Sequence, residues 1–315
     1  MAAKAFWPVA IALILAAIGL TQLLANEYYF FAAYVVLQFV VLATAWNILG
    51  GYTGYVNFGS AAFFAVGAYC SVALIKAFDA PLPVLILAAG AVSGLIGLAT
   101  GYLTLRLKGV YFAIATLALA IVLETFITNW DFVGGASGTF VLRPKEVWLF
   151  DSYIKFLFAV MMVLAVAAVG IARSIERSKL GRGLAAIRDD EVAAECMGVP
   201  TLRLKLLATT ISGTLMGVAG APYPYYVTYL DPLSAFNLSY AVNAIAMPMI
   251  GGTMTWLGPV VGALLLGTAQ QVATVTISSE LNLLIVGVML VGFVILAPEG
   301  IVGLVRKTIR RGRRR

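Results

Sequence analysis

The chain has 315 residues, 62% of them hydrophobic and only 11% charged, where a soluble domain carries about a quarter charged residues. So few polar side chains exclude a water-soluble globule of this size, and a single membrane domain spanning residues 1–315 is expected. The net charge is +7, histidine is absent and the two cysteines are Cys70 and Cys196, which leaves no disulfide framework, no metal site and no histidine-based catalysis.

Ten apolar stretches follow one another at about 7–25, 30–50, 57–77, 83–106, 110–129, 153–173, 203–222, 237–251, 256–277 and 281–297. Most reach the ~20 residues that cross the hydrocarbon as a helix. They are continuously apolar rather than alternating, which excludes a closed barrel and predicts an all-α integral membrane protein. A cleaved signal peptide is a second reading of the first stretch, with Lys4 ahead of it and Leu24-Ala25-Asn26 behind. The seventh and eighth stretches carry Pro222, Pro224, Pro232 and Pro248, so one of them is expected to be broken or re-entrant.

The charged loops test the count. Lys4, Arg106 with Lys108, the group from Arg173 to Lys205, and the tail 305–315 with Arg306, Lys307, Arg310, Arg311, Arg313, Arg314 and Arg315 are the basic clusters. Ten crossings with both termini in the cytoplasm put every cluster inside. Asn26 and Glu27, Asp79, 130–152, 223–236 and Glu280 are left outside. A nucleic-acid tail is possible on composition, but a basic run directly after an apolar segment reads as a topology anchor near anionic lipid.

Polar groups inside apolar stretches are candidates for a path or gate. Asn47, Asn57, Glu124 and Asn243 are the side chains of interest, with Asn129 and Gln270 beside them. An ionisable group at depth is costly, about 2.5–3.5 kcal/mol on insertion scales at mid-helix. Glu124 lies about one turn from the outer end of its helix, so path lining and interfacial exposure both stay open. The asparagines serve equally as interhelical glue. Gly50-Gly51 with Thr53 and Gly54, Gly134-Gly135, and Gly251-Gly252 with Thr253 lie near stretch ends. They read either as close-packing devices or as hinges of a gate.

The loop 174–202 is the most informative segment. Gly183 and Pro200 bracket about four turns of good helix formers. A continuous helix there places Arg188, Glu191 and Glu195 on one face and Ala186, Ala193 and Met197, with Asp190 beside them, on the other. Such a helix either docks in a soluble partner or is a solvated surface helix held by its own ion pairs. The chain contains no Gly-x-x-x-x-Gly-Lys-Ser/Thr phosphate loop, so it is not itself an ATPase.

Ala-Ala-Glu-Cys-Met-Gly at 193–198 resembles the EAA loop of ABC importer permeases. Gly183 to Ala208 is similar to the M-type permease of branched-chain amino-acid ABC transporters. So are Asn47 to Gly54 with Gly59 to Phe64, Gly109 to Leu117, Gly134-Gly135 with Gly138, and Gly251 to Thr255 with Gly258-Pro259 and Gly262. The resemblance covers residues 30 to 305, with Ser60, Ile121 and Glu124 departing from the family pattern. It implies a multi-pass subunit of the bacterial inner membrane whose coupling helix lies between the sixth and seventh spans. Gly183, Ala186, Arg188, Asp190, Glu191, Ala193, Ala194, Glu195, Met197 and Gly198 would contact the ATPase. The implied partners are a second related permease, two cytoplasmic ATPases that bind ATP-Mg, a periplasmic or lipid-anchored solute-binding protein, and membrane lipids. No cofactor is implied in this chain. Branched-chain amino acids are the default solute, while urea, short amides and other amino acids are served by relatives. The rivals are an ion-coupled secondary transporter, which needs paired intramembrane carboxylates, and a membrane enzyme.

Overall fold

The computed structural model describes residues 6–24, 26–144 and 150–276, together with 284, 287, 288, 290–292, 300–304 and 307. Lys4, Ala25, Glu280, most of the tenth apolar stretch and the basic tail other than Lys307 lie outside the described residues.

Apolar composition sustained over helix-length runs forces the backbone to satisfy its own hydrogen bonds, and the chain does so as helices. They are α1 (Phe6–Leu23), α2 (Tyr28–Thr53), α3 (Ser60–Phe78), α4 (Leu82–Thr104), α5 (Val110–Thr128), α6 (Tyr153–Arg177), α7 (Lys179–Asp189), α8 (Glu191–Cys196), α9 (Thr201–Gly220), α10 (Tyr223–Val227), α11 (Pro232–Ala235), α12 (Leu238–Gly251) and α13 (Leu257–Thr276). Among the described residues nine helical segments are long and apolar enough to cross a membrane. They match the first nine predicted stretches in order. The seventh crossing is interrupted after Gly220, where the Ala221-Pro222 turn leads into α10. The eighth is a short helix, α12, of 14 residues, about 21 Å long. It is preceded by the single turn α11 and carries Pro248 inside it.

The centre of the bundle is α2, buried along nearly its whole length from Val36 to Thr53. Its inner surroundings are α6, α9, α12 and α13. Small residues set the closest approaches, as expected where lipid removes the hydrophobic drive between helices. Gly90, Gly94, Gly97 and Gly101 line the face of α4 that meets α9, and a Cβ at Gly97 would stand 3.1 Å from the Thr209 carbonyl oxygen. By contrast α5 is mostly exposed, burying only Phe112, Thr116, Ala120 and Ile127.

Two ends can be told apart. At one end Lys205 of α9 reaches the Leu105 carbonyl and Tyr55, and the Trp256 amide donates to Glu176 at 2.7 Å. The α2–α3, α4–α5 and α12–α13 turns therefore share this end with α7 and α8. Arg106, Lys108, Arg173, Arg177, Lys179, Arg182, Arg188, Arg203 and Lys205 all belong to it. At the opposite end a two-stranded antiparallel ribbon pairs β1 (Thr139–Phe140) with β2 (Tyr229–Leu230), and Lys76 donates to the Phe132 carbonyl at 3.2 Å.

The expected continuous helix from Gly183 to Pro200 is corrected by the structure. The segment is two helices, α7 and α8, broken at Asp190, which is extended at φ −162° and ψ 110°. Aspartate competes for nearby backbone donors and so favours a cap over a helix interior. Here its Oδ1 accepts from the Val192 and Ala193 amides at 2.9 and 3.0 Å. The predicted common face of Arg188, Glu191 and Glu195 is consequently absent, as is the common face of Ala186, Ala193 and Met197.

Candidate coupling surface and solute path

Helix α8 is built by its caps. Asp190 closes its start, and its end is a Schellman motif: the Gly198 amide donates to the Glu195 carbonyl and the Val199 amide to the Ala194 carbonyl. Gly198 sits at φ 82°, the left-handed region that glycine enters without a Cβ penalty. The short helix presents Val192, Ala193, Glu195, Cys196, Met197 and Gly198 outward, with Met197 85% exposed, and buries Ala194.

One side chain of α8 points inward and is fully tied. Glu191 Oε1 accepts from Lys205 Nζ at 2.6 Å, and its Oε2 accepts from the Tyr55 hydroxyl at 2.6 Å. Lys205 also donates to the Tyr55 hydroxyl at 3.1 Å and the Leu105 carbonyl at 3.3 Å, and lies 4.6 Å from the centre of the Tyr55 ring. The Lys205 side chain is 3% exposed and that of Glu191 13%. Burial raises the Glu191 pKa, but hydrogen bonds from Lys205 and Tyr55 and the charges of Lys205 and Lys108 outweigh it. The net effect holds the carboxyl below its ordinary value. Burial and the Glu191 carboxylate together push the Tyr55 hydroxyl upward. A buried charge pair satisfied on every side joins α8 to α9, the α2–α3 turn and the end of α4.

The other predicted coupling residues occupy different positions. Gly183 packs on Leu204, Arg188 lies beside Gly54 and pairs with Asp189 at 3.2 Å, and Ala186 is half-buried on α7. The Thr201 hydroxyl donates to Glu195 at 2.5 Å. Sequence reasoning missed Lys205 and Tyr55. The available signal was a lysine one turn inside an apolar stretch, which a membrane helix retains only with a partner.

The predicted path residues do not converge on one place. Asn47, Gly51, Gly251, Gly252 and Thr253 come together near the α8 end. A Cβ at Gly51 would stand 2.7 Å from the Thr253 carbonyl oxygen and would collide with Asn47, and one at Gly251 would collide with the Gly258 carbonyl. Both amide atoms of Asn47 are buried without a hydrogen bond. Thr53 donates to the Leu49 carbonyl, Gly54 caps α2 at φ 80°, and Asn57 accepts from the Gly59 amide while its carbonyl receives Trp46. Glu124 is half-buried near the opposite end of α5, on the stripe of Phe112, Thr116 and Ala120. Asn243 is elsewhere again, accepting from Gln270 at 2.9 Å. Its neighbourhood is a cavity of about 350 Å³ lined by Val35, Gln38, Phe39, Tyr223, Tyr226 and Tyr240, among others.

The family described as branched-chain amino acid transport system, permease component, matches residues 28–294. The chain is 26% identical over 297 residues to the high-affinity branched-chain amino acid transport system permease protein LivM of Salmonella typhimurium, covering 86% of this chain and 69% of the relative. The LivM protein of Escherichia coli is 25% identical over the same length and coverage. A probable branched-chain amino acid transport permease protein LivH of Methanocaldococcus jannaschii is 26% identical over 290 residues, 86% of this chain and 90% of the relative. No solved structure matches the chain.

Proposed function

The chain belongs to the permease-component family of branched-chain amino acid transport systems, and we propose that it is one membrane half of an ATP-driven importer of these solutes. It is a transport subunit and not an enzyme. A second, LivH-like permease completes the pore, two ATPase subunits dock on α8 from the cytoplasm, and an external binding protein delivers the solute. Both termini are cytoplasmic, in the inner membrane of a bacterium.

The observation that carries this reading is α8 itself. It offers an exposed apolar side, Val192 and Met197, to a partner while Glu191 and Lys205 lock its other side to the bundle. Nucleotide-driven movement of a docked partner thereby becomes tilting of α9 and α2, which alternates the open face of the path. An ion-coupled mechanism finds no support among the described spans: Glu124 and Glu176 lie toward opposite ends and form no carboxylate pair.

The test is uptake of radiolabelled leucine, isoleucine and valine into vesicles holding the full complex. Uptake is expected to require ATP, the ATPases and the binding protein. The exposed native Cys196 is expected to cross-link to an ATPase subunit. Uptake that persists without nucleotide and follows a proton or sodium gradient overturns the proposal.

A further inference from the structure

We propose that the cavity between α2, α10 and α12 is a solute-binding vestibule shaped for the zwitterion of an apolar amino acid; the inference rests on the importer reading above. It lies at the end opposite α8, since Val35, Gln38 and Phe39 are on the first half of α2 while Tyr55 just beyond its last turn holds Glu191. At about 350 Å³ it falls at the small end of the usual range for small-molecule sites.

Three features select the ligand. None of the lining side chains is a carboxylate, ammonium or guanidinium, so a ligand of net charge would be desolvated without a counter-charge. The polar groups nevertheless come in complementary kinds. Gln38 is 2% exposed and its Oε1 is buried with no hydrogen-bond partner, an acceptor suited to an ammonium. Asn237 and Asn243 each use the amide oxygen, for the Ser239 amide and for Gln270, which leaves their Nδ2 groups as donors for a carboxylate. Finally, the walls are aromatic. Tyr226 stacks on Tyr34 with ring centres 4.4 Å apart, and the Tyr240 hydroxyl donates to that of Tyr223 at 2.8 Å. These faces and Phe39 accommodate an aliphatic side chain, and a tyrosine face also attracts the ammonium. The wall formed by α10 is held from behind: Arg143 donates to the Tyr225 and Tyr226 carbonyls at 2.7 and 2.6 Å.

A buried amide without a partner is a cost to the fold, so Gln38→Met, which keeps the length of the side chain, is expected to insert and fold normally. It is assayed in vesicles containing the complete transporter, with solute-loaded binding protein and ATP present. The leucine moved per ATP is expected to fall at least tenfold. Unchanged stoichiometry overturns the vestibule, whereas a wild-type complex that moves no leucine overturns the importer reading instead. Should Q38M fail to insert, Ser234→Cys at the cavity wall decides, in a chain also carrying Cys70→Ser and Cys196→Ser. Millimolar leucine is expected to slow its modification by a membrane-impermeant maleimide at least fivefold. Isoamylamine and 4-methylpentanoate, which each carry one of the two charged groups, are expected to slow it less than twofold. Modification unaffected by leucine, or slowed equally by all three, overturns the proposal.

Discussion

Two clusters toward opposite ends of the bundle, one around Glu191 and one around Gln38, treat polar atoms in opposite ways. At the α8 end Glu191, Tyr55 and Lys205 satisfy one another and the Leu105 carbonyl. At the other end Tyr34, Gln38 and Tyr69 bury polar atoms that have no partner. A closed network in a low dielectric resists distortion and transmits it. Unpartnered groups are retained at a cost, which is intelligible where a passing ligand or a second conformation supplies what is missing. The proposed lever and the proposed vestibule thus differ in hydrogen-bond satisfaction: the Glu191 cluster is closed and the Gln38 cluster is open.

The contrast is broken most severely by Lys205→Met. It leaves the Glu191 carboxylate buried beside Tyr55 alone and is expected to destabilise the protein on the order of 3 kcal/mol, read as a lower thermal midpoint. ATPase coupling is lost, while solute protection of a cysteine at Ser234 is retained. Adding Glu191→Leu is expected to restore much of the stability but not the coupling, because removing both charges removes the unpaired one.

Gly251→Ala has the next largest effect. A methyl there collides with the Gly258 carbonyl where α12 meets α13, and overpacking of this kind costs about 1–3 kcal/mol. A normal thermal midpoint would show that the α12–α13 contact can open freely, as a hinge does.

Acid sharpens the comparison. The folded pKa of Glu191 lies below the ordinary value of 4.5, so its contribution is complete above that value and is lost as the pH falls through the lower, folded one. Coupling is therefore expected to be flat from pH 7 to about 4.5 and to decline below it, whereas Glu191→Gln is already impaired at pH 7 and lacks that acid limb. Solute protection at Ser234, beside an uncharged cavity, is expected to change much less over the same decline.

Gly198→Ala should have the smallest effect. A Cβ there meets open space, so the cost is only that of the left-handed conformation, about 1 kcal/mol, with helix α8 frayed at its end. A larger loss of coupling without loss of stability would mean that Gly198 touches the partner directly.

The first nine crossings, the common end of the described basic clusters and the location of α8 were all legible in the chain, because length, apolarity and lysine-arginine placement are local or additive properties. The break at Asp190 was legible too in principle, since aspartate before Glu-Val-Ala-Ala is a capping pattern, but helix propensity summed over Gly183 to Pro200 obscured it. The path residues were read as one group because they are polar or hinge-like glycines and lie in or near the ends of apolar stretches. Those features do not specify direction around a helix whose neighbours are unknown.

What the linear order of residues settled is the solvent of this protein and its architecture, since burying backbone in lipid admits few alternatives to apolar helices. Which polar atoms find partners was settled by packing. Lys205 and Glu191 are separated by 14 positions, Lys205 and Tyr55 by 150, and Gln38 meets Tyr223, Tyr226 and Tyr240 across about two hundred residues of chain. Hydrogen bonds require atoms within about 3 Å of each other, and no composition or periodicity carries that information until the helices have docked.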